Sequence, residues 1–165
     1  MSKNKKSLAP TVHLKAGAIN RANPDWCLHL IRNGMPCAYC GKIEYPYVRN
    51  ICDCHSHGLI ERHGAKYEFQ VVLEYPIKTV GFVLNELGYR VRAGEVFRPG
   101  DLVEGIFEDC PVRLDKFADC DGRPILRIII PDGQNRWPED PACDPKYQLH
   151  RLPLVQLRNS RHLMH

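Results

Sequence analysis

The chain has 165 residues, 44% hydrophobic and 25% charged, the composition of a soluble globular domain large enough to bury a real core. Its net charge of +4 is uneven: residues 1–50 carry eight Lys/Arg against two Asp/Glu, residues 51–150 twelve against seventeen, and residues 151–165 three against none. The longest aliphatic run, around Ile128-Ile129-Ile130, is far too short to span a membrane, and M-S-K-N-K-K leads into L-A-P-T-V-H rather than an apolar signal region, so the expected location is the cytoplasm.

Residues 1–23 lack an apolar period and read as a basic arm. Asn23-Pro24-Asp25 makes a turn, from which Asp25 is placed to cap a short helix carrying Trp26, Leu28, Leu30 and Ile31. Asn33-Gly34-Met35-Pro36 stops it. Tyr45-Pro46-Tyr47-Val48 is extended, and Asp53 is the expected N-cap of a helix of about ten residues that ends at Gly64. Lys66 to Glu74 alternates Tyr67, Phe69, Val71 and Leu73 on one face, the pattern of a strand that Pro76 breaks. Val80, Val83, Leu84, Leu87 and Val91 keep helical spacing between Thr79 and Arg92, closed by Ala93-Gly94. Leu102–Phe107 and Pro111–Phe117 read as antiparallel strands, Ile125–Ile130 as a fully buried strand, and the proline-rich 131–145 stretch as an irregular loop. The expected class is α+β: a mostly antiparallel sheet of four to five strands with two to three helices and a zinc knuckle. Three parts are expected: a basic arm with a short helix (1–36), a zinc-stapled α+β domain (37–155) and a basic tail (156–165).

The knuckle is read from C-A-Y-C-G-K, which begins at Cys37, and from C-D-C-H-S-H, which ends at His57. Cysteines two residues apart, as Cys37 and Cys40 are, bring both sulfurs to one tetrahedral ion, and Gly41 suits the tight turn that follows. Cys52, Cys54, His55 and His57 can complete the ligand set. Eight cysteines in a reducing compartment point to metal or to inert thiols rather than disulfides, and buried thiols account for Cys27 and Cys110 better than for the 37–54 cluster. Ligation by all four cysteines, with His55 or His57 as the alternative to Cys54, predicts a closed structural zinc site whose binding energy is folding energy. An iron–sulfur cluster lacks a supporting spacing.

The order C-x-x-C, L-I-E-R-H-G (59–64), L-N-E-L-G-Y-R-V-R-A-G-E-V-F-R-P-G (84–100) and I-I-I-P-D-G-Q-N-R-W-P-E-D-P-A-C-D (128–144) resembles bacterial domain-of-unknown-function family 4262 over about residues 37–155. Its most specific pieces are R-A-G-E-x-F-x-P-G and D-G-x-x-R-x-P-x-x-P-x-C-D. The chain departs from the family pattern where only Tyr75–Gly81 fills a space that usually holds a longer stretch, so an ancestral sheet element and its pocket are put in doubt. The resemblance implies a family and no activity.

Two further chemistries use the same residues. C-x-Y-C-G-K before a histidine-bearing helix start is also similar to treble-clef nucleases, with His55, His57 and His63 as candidate water-activating residues. That reading needs an Asp–His pair and a downstream ligand, which the spacing does not supply. A redox role for Cys37-Ala-Tyr-Cys40 lacks its βαβ context, and acids beside Cys110, Cys120 and Cys143 raise a thiol pKa. For binding, Lys3, Lys5, Lys6, Lys15 and Arg21 can neutralise phosphates with Trp26, Tyr45 and Tyr47 for stacking, and Trp137 in the proline-rich loop can anchor a protein. The reading from sequence is a zinc-stabilised, non-enzymatic binding or regulatory protein of bacterial or phage-like type. Its expected partner is a protein, or else a nucleic acid. A metal-dependent hydrolase or nuclease is the alternative.

Overall fold

The computed structural model describes residues 19–32, 51–118 and 122–159. Cys37, Cys40, Cys120, Lys3, Lys5, Lys6, Lys15, Tyr45 and Tyr47 lie outside the described residues. Six strands form one sheet: β1 (Cys27–Arg32), β2 (Ile51–His57), β3 (Glu68–Leu73), β4 (Leu102–Val103), β5 (Val112–Ala118) and β6 (Pro124–Ile129), in the spatial order β1-β2-β3-β6-β5-β4. Every pairing is antiparallel except β3 with β6, which is parallel. The described helices are α1 (Leu59–His63), α2 (Ile77–Arg92), α3 (Pro145–Gln148) and α4 (Leu154–Asn159), with a 3-10 turn at Leu149–Arg151. The α+β class and the mostly antiparallel sheet agree with the sequence, with one strand more than expected.

Helix α2 forms where its apolar residues recur at helical spacing. Val80, Val83, Leu84 and Leu87 are buried on one sheet face against Cys54, Phe69, Val71, Val112, Leu114, Leu126 and Ile128. Pro76 starts it as the residue before the first turn, and Gly94, at φ +98°, ends the segment with its N–H on the Val91 carbonyl. The opposite face has a smaller core in which Ile51, Val72 and Leu73 meet Leu154 and Leu157 of α4. Among the described residues no helix is long and apolar enough to cross a membrane.

One expected helix, at 26–31, is a strand, and so is the first half of the one expected between Asp53 and Gly64. Residues 27–32 pair with 52–57 in unbroken register, from Cys27 opposite His57 to Arg32 opposite Cys52. Trp26, Leu28 and Leu30 recur every second residue, and a neighbouring strand rewards that period with a ladder of hydrogen bonds that a short isolated helix lacks. Asp53 therefore sits inside β2 and caps nothing. The helix that does end at Gly64 starts only at Leu59 and is five residues long. Its start is tied down by Glu68, fully buried, whose Oε1 accepts from the N–H groups of Gly58 (2.9 Å) and Ile60 (3.1 Å) while Oε2 accepts from Ser56 Oγ (2.6 Å). At the front of the structure, Trp26 is buried against α2 and donates from Nε1 to Asn85 Oδ1 at 3.0 Å.

The 131–145 loop is irregular, as its prolines require, but not loose. Asp132 gathers it: Oδ1 accepts from the backbone of Gln134 and Arg136, and Oδ2 from the Asp144 N–H and the Arg136 guanidinium. Burial alone would raise the Asp132 carboxyl, but these donors outweigh it and hold the pKa far below the usual carboxylate range.

Candidate metal centre

Strand alternation decides which donors of the 52–57 cluster can meet. Side chains on a strand point to opposite faces in turn, so Cys52 and Cys54 lie on the face under α2 while Asp53, His55 and His57 lie on the other. The Cys52 thiol is directed at the carbonyls of Val71 (3.5 Å) and Leu73 (3.2 Å), and Cys54 is fully buried in the main core. The two cysteines and the two histidines therefore face opposite sides of the sheet and do not converge on one ion. A ligand set drawn from both would take in residues of both faces, because neighbouring side chains on a strand point apart where a helix start would have kept them together.

The antiparallel register supplies a third imidazole in their place. His29 of β1 stands opposite His55 of β2, on the same face, and one ring nitrogen from each of His29, His55 and His57 lies within 4.8 Å of the others. The His29 ring stacks on His55 with centroids 5.2 Å apart, and lies 4.2 Å from that of His57. All three are buried. His29 carries no motif in the sequence; only strand pairing, which the sequence reading placed as helix, brings it to the cluster.

The hydrogen bonds fix the tautomers. Arg123 donates from Nη1 to His57 Nδ1, so His57 carries its proton on Nε2 and donates to His55 Nε2 at 2.9 Å. His55 then holds its proton on Nδ1 and donates to Asp53 Oδ1 at 3.0 Å. Gln70 Nε2 donates to the same Asp53 oxygen (2.9 Å), and Gln70 Oε1 accepts from Arg127 Nε (3.0 Å). The result is a continuous polar row, Arg127–Gln70–Asp53–His55–His57–Arg123, laid across β6, β3 and β2. Arg127 is fully buried, bonded to the carbonyls of His150 and Leu152 and placed 3.6 Å over the Phe117 ring. Burial lowers its pKa to about 10, with Asp53 and Asp115 acting the other way, so it stays charged at neutral pH and balances the Asp53 carboxylate through Gln70.

Burial, followed by the neighbouring His55, His29 and Arg123, pushes the His57 imidazole down to about 3. His29 is lowered as well, first by burial and then by His55. Both are therefore neutral at physiological pH, the state in which imidazole ligates a metal. A carboxylate holding the far nitrogen of a ligand histidine, as Asp53 holds His55, is a common support for such ligands. The Asp–His pairing that the spacing failed to supply is thus present, two residues apart on one strand face.

The cluster opens on a cleft of about 280 Å³ lined by Asp25, Trp26, Cys27, His29, His57, Gly58, Glu61, Arg62 and Arg123. Cys27, expected to be a core thiol, is exposed at its rim, and Cys110 is only partly buried. Burial, followed by Asp109, raises the Cys110 thiol; burial, followed by Asp132, raises Cys143. His63 is not part of the cluster. It ends α1, where Nε2 bonds Asp25 Oδ1 at 2.8 Å and the ring meets Trp26 edge-on. Trp137 is half-buried beneath the Arg113 guanidinium, 5.1 Å from its ring, and Arg113 is itself held by Asp115 and Glu139.

Compared with known proteins, the chain matches no family model, no curated protein and no solved structure.

Proposed function

We propose that the protein is a metal-dependent hydrolase that holds a zinc ion on His29, His55 and His57. One observation carries the reading: three buried imidazoles converge beside an open cleft that His29 and His57 line. Three protein ligands with a remaining position turned to solvent is the arrangement of catalytic zinc, whereas structural sites are closed by four. Zinc held in this way would lower the pKa of its water to about 7 and so supply a nucleophile at neutral pH. Asp53 orients His55 for that ion, and Arg127 stabilises the Asp53 charge from the far end of the row. A cytoplasmic location and kinship with family 4262 belong to the same proposal. The kinship rests on the quoted motifs, one of which forms the loop gathered by Asp132. The test is hydrolysis of chromogenic carboxylic and phosphoric esters by the zinc-loaded chain. Turnover abolished by chelation and by His57→Ala supports the reading, and turnover equal in chelated protein refutes it.

A closed four-thiolate staple in a binding protein is the second reading. Cys52 and Cys54 share one face, so that site is compatible with the trihistidine centre and adds a second ion. Two zincs per chain, one lost in Cys37→Ser/Cys40→Ser and the other in His55→Ala, would mark it. Protein or nucleic-acid binding through Lys3, Lys5, Lys6 and Trp137 belongs to this second reading.

A further inference from the structure

Resting on the zinc reading, we infer that Arg123 is the anion-binding residue of the cleft, and that metal binding delivers it there by displacing it from His57. The substrate class is accordingly an oxyanion, a phosphate or carboxylate, bound between the metal and a guanidinium.

The argument follows the protons. Without metal, Arg123 donates to His57 Nδ1, and His57 Nε2–H donates to His55 Nε2. His55 already presents a lone pair on Nε2, because its proton is held at Nδ1 by Asp53. His57 does not: its Nε2 must lose a proton before it can ligate. A neutral imidazole that ligates through Nε2 carries its proton on Nδ1. Nδ1–H then confronts the Arg123 N–H, donor against donor, and the hydrogen bond that holds the guanidinium on His57 is gone. Two nitrogens on a tetrahedral zinc with bonds of about 2.0–2.1 Å stand roughly 3.3 Å apart, so the Nε2 atoms, now at 2.9 Å, need only part slightly.

The guanidinium already stands at the cleft. Its Nη1 is 3.5 Å from Glu61 Oε1, and Glu61, Arg62 and Arg123 all line the cleft beside His29 and His57. The Glu61 side chain is 56% exposed, so it holds Arg123 weakly and yields to a competing anion. The guanidinium fork matches carboxylate and phosphate oxygens two at a time, and the nearby metal supplies the second positive charge. Metal and guanidinium are thus exclusive at His57 and cooperative toward an oxyanion.

The test uses the full chain at one pH. Zinc affinity is measured by competition with a chromophoric chelator, and inorganic phosphate binding by calorimetry, on the metal-free and zinc-loaded wild type and on Arg123→Ala. The expected result is phosphate binding to the zinc-loaded wild type only, weakened about tenfold or more in Arg123→Ala, while that variant binds zinc as tightly as the wild type or tighter. Arg123→Gln repeats the measurement if the alanine variant does not fold. Equal phosphate affinity in wild type and variant, equal affinity with and without zinc, or weakened zinc binding in the variant overturns the inference while leaving the trihistidine site standing. A wild type that takes up no zinc overturns both.

Discussion

His29 and His55 face each other across the β1–β2 pair, their rings stacked with 19° between planes. Opposite residues in an antiparallel pair share a sheet face, so this one register relation converts His55 and His57, neighbours on one strand, into a three-ligand cluster. A slip of one residue would turn His29 to the other face and replace it with Leu28 or Leu30.

Asp53 is a positioning residue for His55, and its loss is expected to weaken zinc binding by about 10–100-fold, the usual effect of removing a ligand's carboxylate partner. Asp53→Ala should show the full loss. Asp53→Asn, which keeps an acceptor for His55 Nδ1–H, should recover much of it. Chelator competition on both variants checks this; equal affinities in Asp53→Ala and the wild type would contradict it.

Cys52 and Cys54 are core residues on the far side of the sheet from the histidines. Cys54→Ala should therefore cost about 1–2 kcal/mol of stability through the lost packing of a fully buried side chain. It should leave zinc binding at the trihistidine site unchanged. Thermal melts and zinc affinity on the same variant separate the two effects.

Two glycines of α2 should respond in opposite directions to alanine. A Cβ at Gly88 would stand 2.6 Å from Cε2 and Cζ2 of Trp26, a rigid ring already buried against the helix, so Gly88→Ala should destabilise by about 1–3 kcal/mol. A Cβ at Gly81 meets nothing within 4 Å, and Gly81→Ala should stabilise by about 0.5–1 kcal/mol through helix propensity. Chemical denaturation of both variants reads the sign directly.

Arg21 ties residues 19–23 to α2 through Glu86, Nε to Oε2 at 2.7 Å and Nη2 to Oε1 at 2.8 Å. The Arg21 guanidinium holds the Glu86 carboxyl below its ordinary 4.5, against burial and with help from Arg90. A folded-state pKa below the unfolded one gives stability that is complete above 4.5 and lost as pH falls through the lowered folded value. The melting temperature of wild type should therefore exceed that of Glu86→Gln at neutral pH, with the gap closing as pH drops below 4.5. A gap independent of pH would show that the pair contributes nothing through its charge.

The sequence carried the elements whose apolar period is unambiguous. Val80, Val83, Leu84 and Leu87 marked α2, alternation from Tyr67 to Leu73 marked β3, and the isoleucine run marked β6. It did not carry β2, because the apolar face of C-D-C-H-S-H is made of cysteines, which next to histidines read as metal ligands rather than as core. The signal there was the alternation itself: cysteines at even positions and histidines at odd ones, two sets that a strand sends to opposite faces. His29 was illegible for a different reason. Its role depends on a partner strand more than twenty residues away, and no local pattern encodes that register.

The central claim is tested most directly by the metal content and cobalt spectrum of protein purified without a metal-affinity tag, with His29→Ala, His55→Ala and Cys52→Ala/Cys54→Ala alongside. The account predicts an ion that is lost in each histidine variant and kept in the folded cysteine variant, and whose cobalt spectrum has no thiolate-to-metal charge-transfer band. Metal retained by folded His29→Ala and His55→Ala, or absent from the wild type, would contradict it.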